Sequence, residues 1–337
     1  MNTDIDAIRT QWGGKLCTLA HHYQADEVVA HADILGDSLE LARRIDGLEA
    51  EHIVFCGVHF MAETAAILAR KGQRVHIPDS GASCVMAEMA PAPLVETVIS
   101  RLNAGERRII PLTYVNSSAA VKAVCGRFGG SVCTSANAAT MLRWALDQGD
   151  GVLFLPDANL GRNTARTLGL AESEIIHVDV RGEGGLVMPS SPVHRLFLWP
   201  GLCAIHAKFH PAQIEHIRTA HPKALVLVHP ECAPDVVALA DGAGSTSYLI
   251  REVAAAAPGA LIFVGTEFNL VDRLRARHQD KDVRPLRTAL CSNMAKITPA
   301  KLLDTLRNLE QAPPVQVDEA VAAQARLALT RMLAACR

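Results

Sequence analysis

An α/β unit of about 90 residues, within the usual size range of a domain, occurs three times in this chain and limits the possible folds most strongly. Each copy opens with an apolar, strand-like segment that ends in a polar ring side chain, and a second polar residue follows two positions later. The leading residues are His21, Tyr114 and His229, and the later ones are Tyr23, Asn116 and Glu231. Such a period predicts three repeated domains of one kind.

Each copy then continues through the same order of elements. A helix leads to a turn rich in hydroxyl groups, and Ser38 and Thr246 each lie 17 residues after the leading histidine of their copy. In the middle copy Ser135 lies 21 residues after Tyr114, because four additional residues occur around 126–130. A second apolar strand and another helix come next. The order of elements therefore supports the alignment of the three copies.

Each copy closes on a cysteine, and these are Cys84, Cys203 and Cys291. The spans from leading residue to cysteine are 63, 89 and 62 residues. The extra length of the middle copy falls mostly between His177 and Trp199, so we predict an insertion at about 178–198. Its density of glycine and proline indicates turns, and we expect a loop with some strand.

Short apolar strands that alternate with helices are typical of parallel sheets covered by helices on both faces. We therefore expect three homologous three-layer αβα domains, arranged with pseudo-threefold symmetry around a central site. The expected domains cover residues 1–105, 106–220 and 221–310, and a C-terminal helix in 311–337 packs on the core. Functional groups of such sheets lie beyond the carboxyl ends of the strands, where the polar residues that open each copy fall.

Composition excludes several classes of function. The formal net charge is −2 and aromatic residues make up 4% of the chain, so neither an anionic membrane nor nucleic acid is an expected partner. The first residues lack the pattern of a secretory signal, and no apolar stretch is long enough for a membrane span. We therefore expect a cytoplasmic protein.

The chain has nine cysteines, and an odd number without an export signal argues against a disulfide framework. Five of them lie in apolar surroundings and are expected to be small buried side chains: Cys17, Cys56, Cys125, Cys133 and Cys232. The closing cysteines, in contrast, are equivalent positions that converge if the three repeats meet. Three thiolates can hold zinc, which His206 could join, or three irons of a four-iron cluster. Spacing alone leaves both open.

Several strings in order along the chain resemble quinolinate synthase. The most specific are FCGVHFMAE at residues 55–63 and HPEC at 229–232, and AHHYQ at 20–24, GDSLELA at 36–42, GSTS at 244–247 and CSNM at 291–294 agree with them. The resemblance covers about residues 15–305. It implies a triangular protein of three αβα domains around a [4Fe-4S] cluster. It also implies condensation of iminoaspartate with dihydroxyacetone phosphate to quinolinate, with loss of phosphate and two waters, in NAD biosynthesis.

The resemblance also implies roles for the site residues. Cys84, Cys203 and Cys291 would be the cluster ligands. Tyr23 and Glu231 would be the acid and base groups, and His21 and His229 would hold substrate oxygens beside them. Tyr114 and Asn116 would contact substrate near the open iron. The residues expected to bind phosphate or carboxylate are Ser38, Ser135, Ser245 and Thr246. Helix N-termini suit such anions, although Ser38 and Ser135 are also plausible helix caps.

Three features depart from the family pattern. His22 stands where an aromatic residue or asparagine is common, the insertion before Cys203 is unusual in length, and the C-terminal region lacks a C-x-x-C pattern. None of them removes a residue that the implied chemistry needs. The family role further implies that an aspartate oxidase or dehydrogenase supplies iminoaspartate, which is short-lived in water.

Two other classes of function remain as alternatives. One is a zinc-dependent hydrolase, and the other is a small-molecule binding protein built from α/β repeats. A nicotinamide dehydrogenase is disfavoured, because no G-x-G-x-x-G follows a strand. Iron and sulfide in anaerobically purified protein would distinguish a cluster enzyme from both alternatives.

Overall fold

The computed structural model describes residues 2–180 and 191–336. Each of the three repeats forms its own parallel sheet, so the predicted α/β class is confirmed. The strands of the first sheet are β1 (Leu16–His21), β2 (Ile34–Gly36), β3 (His52–Cys56) and β4 (Arg74–His76). Those of the second are β5 (Ile109–Tyr114), β6 (Ser131–Cys133), β7 (Gly151–Leu155), β8 (Ile175–His177) and β9 (Leu196–Leu198). Those of the third are β10 (Leu225–Val228), β11 (Gly242–Ala243), β12 (Leu261–Gly265) and β13 (Asp282–Pro285).

The three sheets share one strand order. They read β2-β1-β3-β4, β6-β5-β7-β9 and β11-β10-β12-β13, and the middle sheet adds β8 beyond β9. β1 and β5 consist entirely of buried residues, which explains their continuous apolar character, since both faces of such a sheet are covered. The repeat seen in the sequence is thus a repeat of strand topology.

Helices flank each sheet. In the first repeat they are α1 (Asn2–Trp12), α2 (Asp26–Val29), α3 (Ser38–Ile45), α4 (His59–Leu68) and α5 (Val85–Glu88). Next come α6 (Ala92–Leu102), α7 (Ala119–Arg127), α8 (Ala138–Gln148), α9 (Ala158–Thr167) and α10 (Pro211–Ala220). The remainder are α11 (Pro234–Leu239), α12 (Thr246–Ala255), α13 (Phe268–Arg277), α14 (Pro299–Arg307) and α15 (Glu319–Ala335).

A longer helix follows each closing cysteine, and it packs on the next repeat; the last of these helices packs on the first repeat. α6 packs on α7 and β5 of the second repeat, and α10 packs on α11 of the third. α14 returns to α1 and α2 of the first repeat, where Leu302 and Leu306 share a buried cluster with Ile5. This exchange of helices ties the three repeats together. The exact domain boundaries and the pseudo-threefold arrangement stay predictions.

The additional residues of the middle repeat lie at one edge of its sheet. β8 is an extra edge strand, whereas β9 takes the position of β4 and β13 in the sheet order. The predicted insertion at 178–198 therefore extends too far, since Leu196–Leu198 is the repeat's own fourth strand. Residues 181–190 of it lie outside the described residues.

The C-terminal helix α15 packs on α7 and β6. Within the described ranges, no helix combines the length and the apolar character that crossing a bilayer requires. The five cysteines expected to be buried, Cys17, Cys56, Cys125, Cys133 and Cys232, are all buried.

Candidate active site

One cavity collects nearly all of the residues that the sequence singled out. It is lined by His21, Tyr23, Ser38, Cys84, Tyr114, Asn116, Ser135, Cys203, His229, Glu231, Thr246 and Cys291. Every repeat contributes to this lining. Ser245 is the exception among the candidate residues: its hydroxyl accepts the backbone N–H of Tyr248 and caps α12.

The strand ends explain why these side chains meet. His21 is the last residue of β1, Tyr114 is the last residue of β5, and His229 follows β10 directly. The backbone N–H of His229 still pairs with the carbonyl of Gly265 on the neighbouring strand. The sheets thus hold these side chains at their carboxyl edges, where the connections leave room for a ligand.

The three cavity cysteines share one local geometry. Each thiol accepts the backbone N–H groups two and three residues further on, which belong to Met86 and Ala87, to Ile205 and His206, and to Asn293 and Met294. Each cysteine carbonyl also accepts the N–H four residues on, from Glu88, Ala207 and Ala295. Each cysteine therefore starts one helical turn, with its sulfur held by two backbone donors.

The electrostatics of these thiols favour a ligand that replaces their protons. Burial raises the pKa of Cys84 to about 12, and it also raises the pKa values of Cys203 and Cys291. The N–H donors act in the opposite direction, because they stabilise a thiolate. Without a cation the thiols stay protonated, whereas a bound metal would supply the missing positive charge.

A second donor group adjoins Cys203. Within the described residues, the one set of three metal-binding side chains whose donor atoms all lie within 4.8 Å of one another is Cys203, His206 and Glu231. The three cavity thiols are spread more widely than that. The site therefore offers one compact mixed set of donors and one wider set of three sulfurs.

A chain of hydrogen bonds joins the three repeats beneath the cavity. The Tyr23 hydroxyl lies 2.8 Å from the Thr266 hydroxyl, which lies 3.2 Å from Nε2 of His206. Nδ1 of His206 lies 2.7 Å from Oε2 of Glu231, and the Tyr114 hydroxyl also bonds to Glu231. With an ionised Glu231, the proton of His206 sits on Nδ1 and Nε2 accepts from Thr266. Every donor in the chain then points towards Glu231.

Opposing effects set the charge of Glu231. Burial raises the pKa of its carboxyl, but the nearby His206 and His229 and the hydrogen bonds from His206 and Tyr114 outweigh burial and hold the pKa well below its usual range. For the two tyrosines, burial and the charge of Glu231 raise the pKa of Tyr23 and Tyr114 well above 10. Glu231 is therefore the proton acceptor of the resting site, and the phenols are neutral donors.

His21 and His229 are fixed in the same way in the first and third repeats. Nδ1 of His21 accepts the backbone N–H of Tyr23 at 3.2 Å, and Nδ1 of His229 accepts that of Glu231 at 3.3 Å. Burial is the main cause that lowers the pKa of each ring to about 3. Both rings are therefore neutral with the proton on Nε2, which suits donation to a ligand oxygen.

The hydroxyl-bearing turns fall at helix starts, as the sequence suggests. Ser38 and Thr246 are the first residues of α3 and α12, and Ser135 precedes α8. None of the three is the helix cap, because Asp37, Ser245 and Asn137 hold those positions. The alternative interpretation of Ser38 and Ser135 as caps is thus wrong, and both residues line the cavity.

Sequence reasoning missed several members of the site. The sequence suggests His206 only as a metal ligand beside Cys203, and it gives no signal for Thr266. Asp157 and Glu267 are buried caps of α9 and α13, and Oε1 of Glu267 also accepts the backbone N–H of the cavity cysteine Cys291. Their equivalent position is the usable signal, since both directly precede the helix that follows the third strand of the repeat.

The fold and site together define a class of protein: three-repeat α/β proteins with a buried acid–base network and a thiol-lined cavity between the repeats. A family model described as quinolinate synthetase A protein matches residues 3–334. Quinolinate synthase of Geobacillus thermodenitrificans is 45% identical over 336 residues, which cover 97% of this chain and 91% of that protein. Quinolinate synthase of Streptomyces coelicolor is 44% identical, over 97% of this chain and 86% of that protein. The chain belongs to the quinolinate synthase family and is an enzyme of that type.

Proposed function

We propose that this enzyme condenses iminoaspartate with dihydroxyacetone phosphate and releases quinolinate, phosphate and two waters. These products account for every atom of the two substrates. The observation that carries the proposal is the convergence of three repeats on one cavity, which holds an ionised base, neutral acids and three thiols. Two dehydrations and a ring closure require such proton acceptors and donors on several sides of one ligand.

The donor set fits a [4Fe-4S] cluster held by Cys84, Cys203 and Cys291. Three thiolates on a single zinc ion would lie about 3.8 Å apart, given tetrahedral Zn–S bonds of about 2.3 Å. The cavity thiols are more widely spread, and each carries two N–H donors of the kind that tune cluster sulfurs. When bound, such a cluster supplies one iron without a protein ligand as a Lewis acid.

The acid and base roles follow from the charges of the side chains. Glu231 accepts the proton removed from a substrate carbon or hydroxyl, because its network keeps it ionised. Tyr23 donates to a departing hydroxyl, and the Thr266 hydroxyl, 2.8 Å away, can then donate to the phenolate oxygen that remains. Tyr114 holds its proton towards Glu231 and steadies the same carboxylate.

The remaining residues bind the anionic parts of the substrates. His21 and His229 present neutral N–H donors, which can hold a carboxylate or a carbonyl oxygen without a strong charge. Ser38, Ser135 and Thr246 add hydroxyl donors at helix starts, where the free backbone N–H groups favour phosphate or carboxylate. Asn116 contributes an amide whose Oδ1 is buried without a protein partner, an atom free to accept from a ligand. The two substrates together carry two carboxylates and one phosphate, which is one anionic group for each of the three repeats.

The chemistry of the substrate implies a functional partner. Iminoaspartate hydrolyses in water, so an aspartate oxidase or dehydrogenase has to produce it nearby. This role fits a cytoplasmic enzyme without membrane or nucleic-acid partners.

The test is iron and sulfide analysis of anaerobically purified protein, together with a quinolinate assay. We expect about four irons and four sulfides per chain, the content of one four-iron cluster, and quinolinate from the two substrates. Cys84→Ser, Cys203→Ser and Cys291→Ser should each lose iron and turnover. Cys336→Ser is the matched control, because this partly exposed thiol bonds to Asn137 outside the cavity. Full iron and activity in any of the first three variants would remove that cysteine from the assignment.

A mononuclear metal enzyme is the second candidate, and the compact Cys203–His206–Glu231 set favours it. One thiolate, one imidazole and one carboxylate are common ligands of catalytic zinc. Stoichiometric zinc with no sulfide, and hydrolase activity that depends on it, would support this alternative.

A further inference from the structure

Two of the catalytic loops are held by side chains from another repeat. The loop that carries Glu231 in the third repeat contacts α9 of the second. The loop that carries Tyr23 in the first repeat contacts α13 of the third. α9 and α13 occupy equivalent places, since each follows the third strand of its repeat. The contact is therefore a repeated feature of the architecture.

On α9, two asparagines bind three consecutive backbone carbonyls of the Glu231 loop. Nδ2 of Asn163 donates to the carbonyls of Pro230 at 2.8 Å and Cys232 at 2.9 Å. Nδ2 of Asn159 donates to the carbonyl of Glu231 itself at 3.2 Å. Carbonyls in so tight a turn have no strand partner, so these side chains supply the donors that they need.

On α13, the same two positions hold the Tyr23 loop, again through three consecutive carbonyls. Nη1 of Arg273 donates to the carbonyl of His22 at 2.8 Å, and Nη2 donates to that of Gln24 at 2.5 Å. Nδ2 of Asn269 donates to the carbonyl of Tyr23 at 3.0 Å. Asn159 and Asn269 lie two residues after their helix caps, and Asn163 and Arg273 lie six residues after them.

The buried state of Arg273 shows that this contact is specific. Only 4% of its surface is exposed, and its Nε also pairs with Asp26. Removing a guanidinium from water costs free energy unless its N–H groups form hydrogen bonds. Its rigid planar geometry also fixes the positions of the atoms that it binds. The two carbonyls on either side of Tyr23 are therefore set by the position of α13.

The interface between the first and second repeats uses different chemistry. Oε2 of Glu63 on α4 accepts the backbone N–H of Ala119 at 3.0 Å, just beyond the loop that carries Asn116. Lys122 is fully buried, donates to the carbonyl of Ser117, and lies 5.4 Å from the centre of the Phe60 ring on α4. All three interfaces thus place a side chain of one repeat next to the catalytic loop of the following one.

We propose that Asn163 and Arg273 are positioning residues, which set Glu231 and Tyr23 from the neighbouring repeat. This inference rests on the proposed roles of Glu231 and Tyr23. It assigns to α9 and α13 a part in catalysis although neither side chain lines the cavity.

The test compares Arg273→Met and Arg273→Lys with Arg275→Ala, a control on the same helix whose side chain is 60% exposed. We expect Arg273→Met to lower kcat about 10- to 100-fold, the size of effect that a small misplacement of a reacting group has. Iron content should stay at the wild-type value, because the cysteines are untouched. Arg273→Lys should recover part of the loss. Asn163→Ala is a second, uncharged variant that serves if Arg273→Met does not fold.

A double-variant cycle separates positioning from general structural damage. The dissociation constant of quinolinate, measured by calorimetry, should rise about 10-fold in both Arg273→Met and Tyr23→Phe. The double variant should bind quinolinate no more weakly than the single variant that binds it less tightly, because Arg273 acts through Tyr23. Losses that multiply, or an Arg273→Met protein equal to Arg275→Ala, would overturn the inference while wild-type turnover stands. Wild-type protein that forms no quinolinate would overturn the proposed function and this inference together.

Discussion

Nδ1 of His206 lies 2.7 Å from Oε2 of Glu231, and both side chains are at most 3% exposed. His206 belongs to the turn that begins at Cys203 in the second repeat, whereas Glu231 follows a strand of the third. One hydrogen bond therefore couples the segment of the cavity thiol Cys203 to Glu231, the base of the proposed reaction. Because both side chains are almost fully buried, loss of this bond would leave the remaining polar group unpaired.

Glu231→Gln should abolish most turnover without removing the proposed cluster. The amide keeps the shape of the side chain but cannot accept a proton as a base, and such a loss costs about 10²- to 10⁴-fold in rate. Quinolinate formation under anaerobic conditions measures the effect, and iron analysis of the same sample checks the metal.

Glu215→Gln on the exposed face of α10 is the matched control and should retain full activity. Loss of iron in Glu231→Gln would contradict a purely proton-transfer role. It would point instead to the compact donor group of Cys203, His206 and Glu231 as the metal site.

The residues at strand ends and the closing cysteines could be predicted from the sequence because each is local to its repeat. Cys84, Cys203 and Cys291 start identical turns, and matching spacing reports matching local structure. Spacing does not distinguish neighbouring residues: Thr246 lines the cavity, whereas Ser245 caps the helix instead. Position in a repeat gives the turn but not the direction of each side chain within it.

Contacts between repeats could not be predicted in the same way. Arg273 lies 251 residues from His22, and Thr266 lies 243 residues from Tyr23, so no periodicity connects them. Their meeting depends on how three sheets pack, which a pattern of apolar residues within one repeat does not encode. The missed residues of the site are accordingly those that act across an interface.

Acid should destabilise the fold through a pair of buried histidines remote from the cavity. Nδ1 of His52 lies 3.1 Å from Nε2 of His76, and burial is the main cause that lowers the pKa of His76 to about 4. The unfolded chain binds this proton near pH 6.5, so stability falls as the pH drops from 6.5 to about 4. The expected decrease in the free energy of unfolding is on the order of 2 kcal/mol, measured by urea unfolding across this pH range.

His76→Asn should flatten that dependence, because the new side chain does not titrate. His216→Asn, which replaces an exposed histidine on α10, should leave the slope as it is. Equal slopes in wild type and His76→Asn would mean that other groups cause the acid sensitivity.

Gly126→Ala should weaken the packing of the C-terminal helix. A Cβ at Gly126 would lie 1.9 Å from the backbone carbonyl oxygen of Gln324, so α7 and α15 can approach this closely only with glycine there. Overpacking of this kind costs about 1–3 kcal/mol. Thermal unfolding measures it, and Gly14→Ala is the control, since nothing lies within 4 Å of a Cβ at that position. A Gly126→Ala protein as stable as Gly14→Ala would show that α15 shifts without cost.

Glu267 should matter for retention of the proposed cluster through the backbone of Cys291. Its Oε1 accepts the N–H of Cys291 at 3.3 Å, and Oε2 accepts that of Asn269 at 2.8 Å. Glu267→Ala leaves the Cys291 N–H unpaired and should weaken iron retention about 10-fold, as loss of a supporting contact to a ligand does. Glu267→Gln keeps an acceptor oxygen and should retain iron, measured after anaerobic reconstitution and challenge with a chelator. If Glu267→Ala holds iron as firmly as Glu267→Gln, the carboxylate serves α13 as a cap alone.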